Sequence, residues 1–218
     1  MDKIFPQMSN YAISTPTGEA LFWIHADLYP FKHLIETINS GLDVYTSSYF
    51  DIANKARKEK DFFTESEYMD KGTIYRARVT PLAYYSILLL LVSILEEGFN
   101  TLCRAYKGEN NYNLEFTAIS GQGIERCIVY LEKICGVKGI KNHSKWEYVK
   151  TIRDIRNKIV HVGGMIDKSD KSLVNRINKF DFFIDEHGEI LFEYEDIIKI
   201  YDAILEFTND VFAIEPEK

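Results

Sequence analysis

The 218-residue sequence predicts an all-α fold, an up-and-down helical bundle carrying one small β-hairpin. Three observations point there. Apolar residues recur at steps of three and four through Phe31–Lys58, Ser144–Gly164 and Tyr194–Phe212, the period of a helix with one buried face, and a fourth long stretch, Thr80–Tyr106, carries an apolar run on all sides. The hydrophobic content of 46% is enough to bury a core. The one pair of short apolar runs, Phe182-Phe183-Ile184 and Ile190-Leu191-Phe192, flanks Asp185–Glu189 with Gly188 in the turn, which is a hairpin signature.

Residues 1–18 mix Pro6, Pro16 and Gly18 with Ser, Thr and Asn and predict an irregular lead-in; from residue 19 to 218 one helical domain is expected. Glu19–Tyr29 predicts a short helix stopped or kinked at Pro30. Phe31–Lys58 follows as the first long helix, with Gly41 weakening it. Lys58–Val79 is charged and aromatic by turns and predicts no element. Thr80-Pro81 then has the form of an N-cap with proline at the first helical position. The helix it opens is apolar on all sides over Leu82–Leu95, only 14 residues and so short of the ~20 that span a bilayer; it reads as a central core helix. Ser120 is placed to cap a helix from Gly121 to Cys135, and Asp167–Asn178 is polar with helical potential. The hairpin occupies about 182–192, and Tyr194–Phe212 closes the bundle.

Three cysteines, Cys103, Cys127 and Cys135, lack C-x-x-C spacing and fall in helical, apolar contexts, which fits a reducing cytoplasm. The opening MDKIFPQMSNY has no apolar run behind a basic patch, so neither a secretory signal nor a membrane association is expected. The formal charge of −7 disfavours a general nucleic-acid coat. It is unevenly placed: Gly136–Gly164 holds seven Lys/Arg against two acids, a local +5 that leaves −12 on the remainder. That asymmetry suits a local polyanion site, but charge alone favours the plainer reading of a solvated helix face.

Ser144–Gly164 predicts a helix of about five to six turns, with an S-x-x-E capping box at Ser144 and Glu147 and Gly163-Gly164 to end it. Trp146, Val149, Ile152, Ile155, Ile159 and Val162 form its expected buried stripe. At about 100° per residue, Lys150, Arg153, Asn157 and His161 fall within an arc of roughly 80°, with Arg156 between that arc and the stripe. Glu96 and Glu97, which interrupt the preceding apolar helix, are either surface residues or partners for Arg153 or Arg156. The other histidines, His25, His33, His143 and His187, are scattered without metal-ligand spacing, so no metal and no cofactor is expected. Gly121-Gln122-Gly123 lacks the strand and third glycine of a dinucleotide loop, and no G-x-S-x-G occurs.

Arg156-Asn157-Lys158-Ile159-Val160-His161 resembles the R-N-x-x-x-H motif of HEPN domains, the helical family named for higher eukaryotes and prokaryotes nucleotide-binding. The likeness is specific over those six residues and architectural over Phe31–Phe212. It implies a HEPN-like bundle and metal-independent RNA cleavage, found in family members that act as toxins, with an antitoxin or regulatory partner, or in phage defence. RNA supplies its own nucleophile in the 2′-OH, so the chemistry needs a proton-transfer group and a cation for the phosphate. On that reading His161 is the general base or acid, Arg156 binds the scissile phosphate, Asn157 orients the imidazole or substrate, and Lys150 and Arg153 hold flanking phosphates. Arg156 and His161 differ by about 140° around the helix and about 7.5 Å along it, so one helix does not aim both at one atom. A homodimer with two motif helices facing across a two-fold axis does, and such sites are what the resemblance implies. The alternative is a non-catalytic HEPN-like module that binds a nucleotide or protein with the same face.

Overall fold

The computed structural model describes residues 15–214 and Pro216. Most of the expected lead-in therefore lies outside the described residues. The chain is all-α with one small hairpin: α1 Pro16–Leu28, α2 Phe31–Glu59, α3 Phe62–Ile74, α4 Thr80–Asn110, α5 Gly123–Lys133, α6 Trp146–Val162, α7 Lys171–Lys179 and α8 Tyr194–Phe212, with β1 Phe183–Ile184 and β2 Ile190–Leu191 between α7 and α8. It gathers into two compact units. Of the described residues, one comprises those up to Pro30, Leu90–Arg153 and those from Ile200 onwards, and the other Phe31–Leu89 and Asp154–Lys199.

In the first unit, Thr15 caps α1 by accepting a hydrogen bond from the Gly18 N–H at 3.0 Å, and Pro16 fills the first helical position. Ile24 of α1 sits so close to Gly98 of α4 that no Cβ fits there. This explains a glycine inside a helix, where it costs about 1 kcal/mol relative to alanine. The aromatic centre is Phe99, stacked on Phe207 of α8 at 5.9 Å and tilted against Phe212 at 5.5 Å. Trp146, at the start of α6, stacks on Phe207 from another side at 5.9 Å. All three cysteines are buried free thiols. α5 starts at Gly123 behind Gln122, which makes no side-chain cap bond, so the expected cap at Ser120 is displaced into the preceding loop.

In the second unit, Lys58–Val79, for which the sequence predicts no element, is helical. Lys60 turns the chain at φ 61, Asp61 accepts from the Thr64 N–H at 3.2 Å, and α3 lies back along α2 with Phe50 against Gly72. Tyr45, Tyr49, Tyr68 and Tyr75 pack along this pair with tilted rings, their centroids 5.8–6.3 Å apart. Such a face mixes aromatic and charged residues and hides the helical period. Thr80 is not an N-cap: a π turn, Tyr75–Val79, joins α3 to α4, and the Thr80 N–H donates to the Tyr75 carbonyl five residues back. The reason lies in Pro81, whose ring would strike the carbonyl of Ala77 in a regular helix; the wider π turn relieves that clash.

The resulting helical run, Phe62–Asn110, contains an 18-residue window of hydropathy 1.8 that is long and apolar enough to cross a membrane, although the sequence led to no such expectation. Core helices of soluble proteins satisfy the same criterion. Tyr84, Ile87, Leu88, Leu91, Val92 and Leu95 are buried within the protein.

The hairpin is antiparallel, with Phe183 opposite Leu191 and Ile184 opposite Ile190. Gly188, at φ 93, makes its turn. Beside it, Met165 bridges Glu189, and the Ile166 N–H donates to the Gly188 carbonyl at 2.8 Å. The hairpin is thus stitched to the chain that leaves α6. Tyr85 donates its hydroxyl to the Ile190 carbonyl beneath. Burial, and then Glu189, hold that phenol above its ordinary pKa, so it remains a donor.

Candidate functional site

The helix that carries the motif is 17 residues long, shorter than the capping box predicts. Ser144 makes no capping bond among the described residues. The start is held instead by His143, whose Nδ1 accepts from the Lys145 N–H at 3.1 Å while its Nε2 meets Asp210 Oδ2 at 2.9 Å. Those two contacts require the proton on Nε2. Val149, Ile152, Ile155 and Ile159 form the buried stripe, as their spacing predicts, but Val162 is half exposed and Trp146 is only partly buried. On a helical wheel Trp146 lies about 120° from the centre of that stripe and Val162 about 80°. Thr151 is fully buried and returns its hydroxyl to the Glu147 carbonyl at 2.8 Å.

Gly163 and Gly164 end α6 at φ 65 and 85, with their N–H groups on the carbonyls of Ile159 and Lys158. Gly164 is required twice over. Its backbone is left-handed, and an added Cβ would overlap the Tyr85 hydroxyl, with the ring carbon Cζ at 2.8 Å.

Along α6 the cations do not form an open basic face. Lys150 and Arg153 share one carboxylate, Glu125 Oε1, at 3.4 and 3.2 Å. Glu125 stands in the first turn of α5, where the helix dipole also favours a negative charge. Lys145 pairs with Glu206 at 3.2 Å and Lys158 reaches Asp170, the N-cap of α7, at 4.0 Å. The acid Asp154 takes Arg176 at 2.8 Å. Sequence reasoning missed Glu125 because its partners lie 25 and 28 residues away with no pattern linking them.

Arg156 and Asn157 are half-buried, and Arg156 Nη1 donates to Asn157 Oδ1 at 3.2 Å. His161 is exposed, four residues after Asn157 on the same side, and makes no side-chain hydrogen bond among the described residues. The helical repeat puts the Arg156 and His161 Cα atoms about 9 Å apart. Glu97 turns along its own helix to Arg104 Nη1 at 2.9 Å, which chiefly holds its pKa below the usual carboxylate value. Glu96 lies with its carboxylate against Gly123 at the start of α5. Among the described residues no group of three or more His, Cys, Asp or Glu side chains is placed to hold a metal ion.

Chemically, the end of α6 offers an exposed imidazole for proton transfer and a guanidinium fixed by a neighbouring amide for an anionic oxygen. In a comparison with known proteins, the chain matches no family model, no curated protein and no solved structure.

Proposed function

We propose that this chain is a HEPN-type endoribonuclease, cleaving RNA without a metal through attack of the 2′-OH on the adjacent phosphate. The observation that carries the reading is the arrangement at the end of α6: Arg156 bonded to Asn157, and His161 exposed one turn further on the Asn157 side. His161 takes the 2′-OH proton or delivers one to the leaving 5′-oxygen, and Arg156 neutralises charge on the phosphate as it becomes pentacoordinate. The products are a 2′,3′-cyclic phosphate and a 5′-hydroxyl. Asn157 holds the guanidinium and so sets its direction. Because Arg156 and His161 diverge on one helix, the working site pairs two α6 helices in a homodimer. A cytoplasmic toxin or phage-defence effector, held by an antitoxin or regulatory protein, is the setting in which such an activity is used.

The ion pairs of Lys150 and Arg153 with Glu125 favour a second reading. Flanking phosphates would have to displace that carboxylate, which suits a non-catalytic module binding a nucleotide or a protein. Incubation with total RNA in EDTA separates the two. The nuclease cleaves, and His161→Ala and Arg156→Ala each abolish cleavage with the fold intact. A parent protein that binds RNA or nucleotide without cleaving it is the binding module.

A further inference from the structure

The loop that follows α4 has no part in the chemistry above, and its shape is set from two sides. Asn111 stands just past the helix at φ 52, the left-handed position that asparagine tolerates, and the Tyr112 N–H returns to the Lys107 carbonyl at 3.2 Å. From α5, the Tyr130 hydroxyl donates to the Leu114 carbonyl at 3.0 Å, and the Tyr130 ring meets the buried Phe116 edge-on. The last turns of α4 and this loop enclose a cavity of about 740 Å³, whose walls include Arg104, Lys107, Asn111, Tyr112, Asn113 and Phe116. That volume is in the range of sites that hold small molecules.

The charge beside this cavity sets it apart from α6. Lys145, Lys150, Arg153 and Lys158 each have an acid partner, whereas Arg126, in the first turn of α5, has no ion pair or hydrogen bond among the described residues. Its Nε is buried without an acceptor, and its guanidinium lies 5.4 Å from the centroid of the Phe116 ring. The Arg104 guanidinium lies over the same ring at 5.8 Å. Two like charges brought to one ring repel each other, and an anion held by both offsets that cost. Arg104 also meets Glu97 at 2.9 Å, but more than half of each side chain is exposed, so that pair contributes no more than about 1 kcal/mol and yields readily to a phosphate. Glu115, which pairs with Lys107, is the one acid among the lining residues.

Neutral groups stand further along. Asn111 is seven residues beyond Arg104, about 10 Å along the helix axis. Asn111 and Asn113 carry amides that make no hydrogen bond among the described residues and can both donate and accept, and Tyr112 adds a half-buried ring. A nucleobase uses both kinds of group, a donor–acceptor edge and a flat face to stack. The negative end of the α4 dipole also lies here, which leaves the arginine end for a phosphate.

We infer that this cavity binds a nucleotide, its phosphate on Arg104 and Arg126 and its base against Tyr112 and the amides of Asn111 and Asn113. The site shares no residue with the motif of α6, and binding here requires neither cleavage nor a second copy.

Calorimetric titration of the full chain with AMP, GMP, CMP and UMP tests this, with the matching nucleoside and inorganic phosphate as the two halves of the ligand. At least one nucleotide is expected to bind, and each half roughly tenfold or more weakly. Arg126→Gln and Arg104→Gln should each weaken the nucleotide roughly tenfold while leaving the nucleoside unchanged, with circular dichroism to verify folding. Arg104 is largely exposed, so its variant carries the test if Arg126→Gln fails to fold. His161→Ala should bind like the parent. Absence of binding by all four nucleotides at millimolar concentration overturns the inference. So does binding that is lost in His161→Ala yet kept in folded Arg104→Gln, which belongs to the α6 motif, and so does inorganic phosphate that binds as tightly as the nucleotide.

Discussion

Replacing Gly164 with alanine tests how firmly the end of α6 is fixed, and the neighbouring Gly163 supplies an internal control. Both glycines have left-handed backbones, where an alanine costs about 1 kcal/mol. At Gly163 nothing lies within 4 Å of an added Cβ, so that cost is the whole effect. At Gly164 the methyl displaces Tyr85, whose hydroxyl is bonded to the Ile190 carbonyl. Leaving that buried pair unmade adds about 1–3 kcal/mol. For a chain of this size about 1 kcal/mol moves the melting temperature by about 2–4 °C. Gly163→Ala should therefore lower Tm by about 2–4 °C and Gly164→Ala by about 4–16 °C. Differential scanning calorimetry reads both. Combining Gly164→Ala with Tyr85→Phe should cost less than the sum of the single changes, because the hydroxyl's bond to Ile190 is lost only once and the atom nearest the added methyl has gone, although the ring carbon Cζ must still shift. Equal shifts for the two glycines, or strict additivity with Tyr85→Phe, would refute the argument that Tyr85 packs the helix end in place.

Three further outcomes are expected. Glu125→Gln frees Lys150 and Arg153 from their shared carboxylate; since the pairs are partly exposed, stability should change by no more than about 1 kcal/mol, while RNA binding should tighten and become more salt-dependent, as filter binding at several salt concentrations would show. His25 is buried against Phe212, and burial lowers its pKa below the ordinary histidine value of about 6.5, so the unfolded chain takes up the proton first. Its contribution to stability is intact above about pH 6.5 and is lost as pH falls from there through the lower folded value; His25→Gln should flatten that part of the Tm-against-pH curve, and an unchanged slope would contradict the assignment. Cys135, buried and with its pKa raised to about 12, should react with a thiol reagent only on unfolding, so rapid labelling of the native protein would be at odds with its placement.

Much of the fold was legible because its helices carry their own signals. Tyr194–Phe212 has the predicted bounds, as does the Gly163-Gly164 end of α6, and the hairpin stands where its apolar runs and Gly188 put it. The failures are instructive where one signal has two meanings. Thr-Pro occurs twice: Thr15-Pro16 is a true cap and first turn, whereas Thr80-Pro81 lies inside a continuous helical run. What differs is upstream. The chain before Thr80 can adopt the wider turn that accommodates Pro81, and only the hydrogen bond from Thr80 to Tyr75 reveals it. α3 was hidden because its packing against α2 uses tyrosines and Gly72 in place of an aliphatic stripe.

At the site, the relation of Arg156, Asn157 and His161 follows from helical spacing and was readable. The acids that meet the basic segment were not, since Glu125, Asp170 and Glu206 arrive from other elements. Nor was the His143 cap, because Ser144 beside it is the commoner capping residue.

The central claim is that Arg156 of one copy works with His161 of another, and subunit mixing tests it most directly. Arg156→Ala and His161→Ala are each expected to be inactive alone. After joint refolding with random assortment, half the dimers are mixed and one of their two sites is intact, so about a quarter of the parent RNA-cleaving activity should return. A mixture that exchanges subunits yet stays inactive would contradict a site shared between two copies.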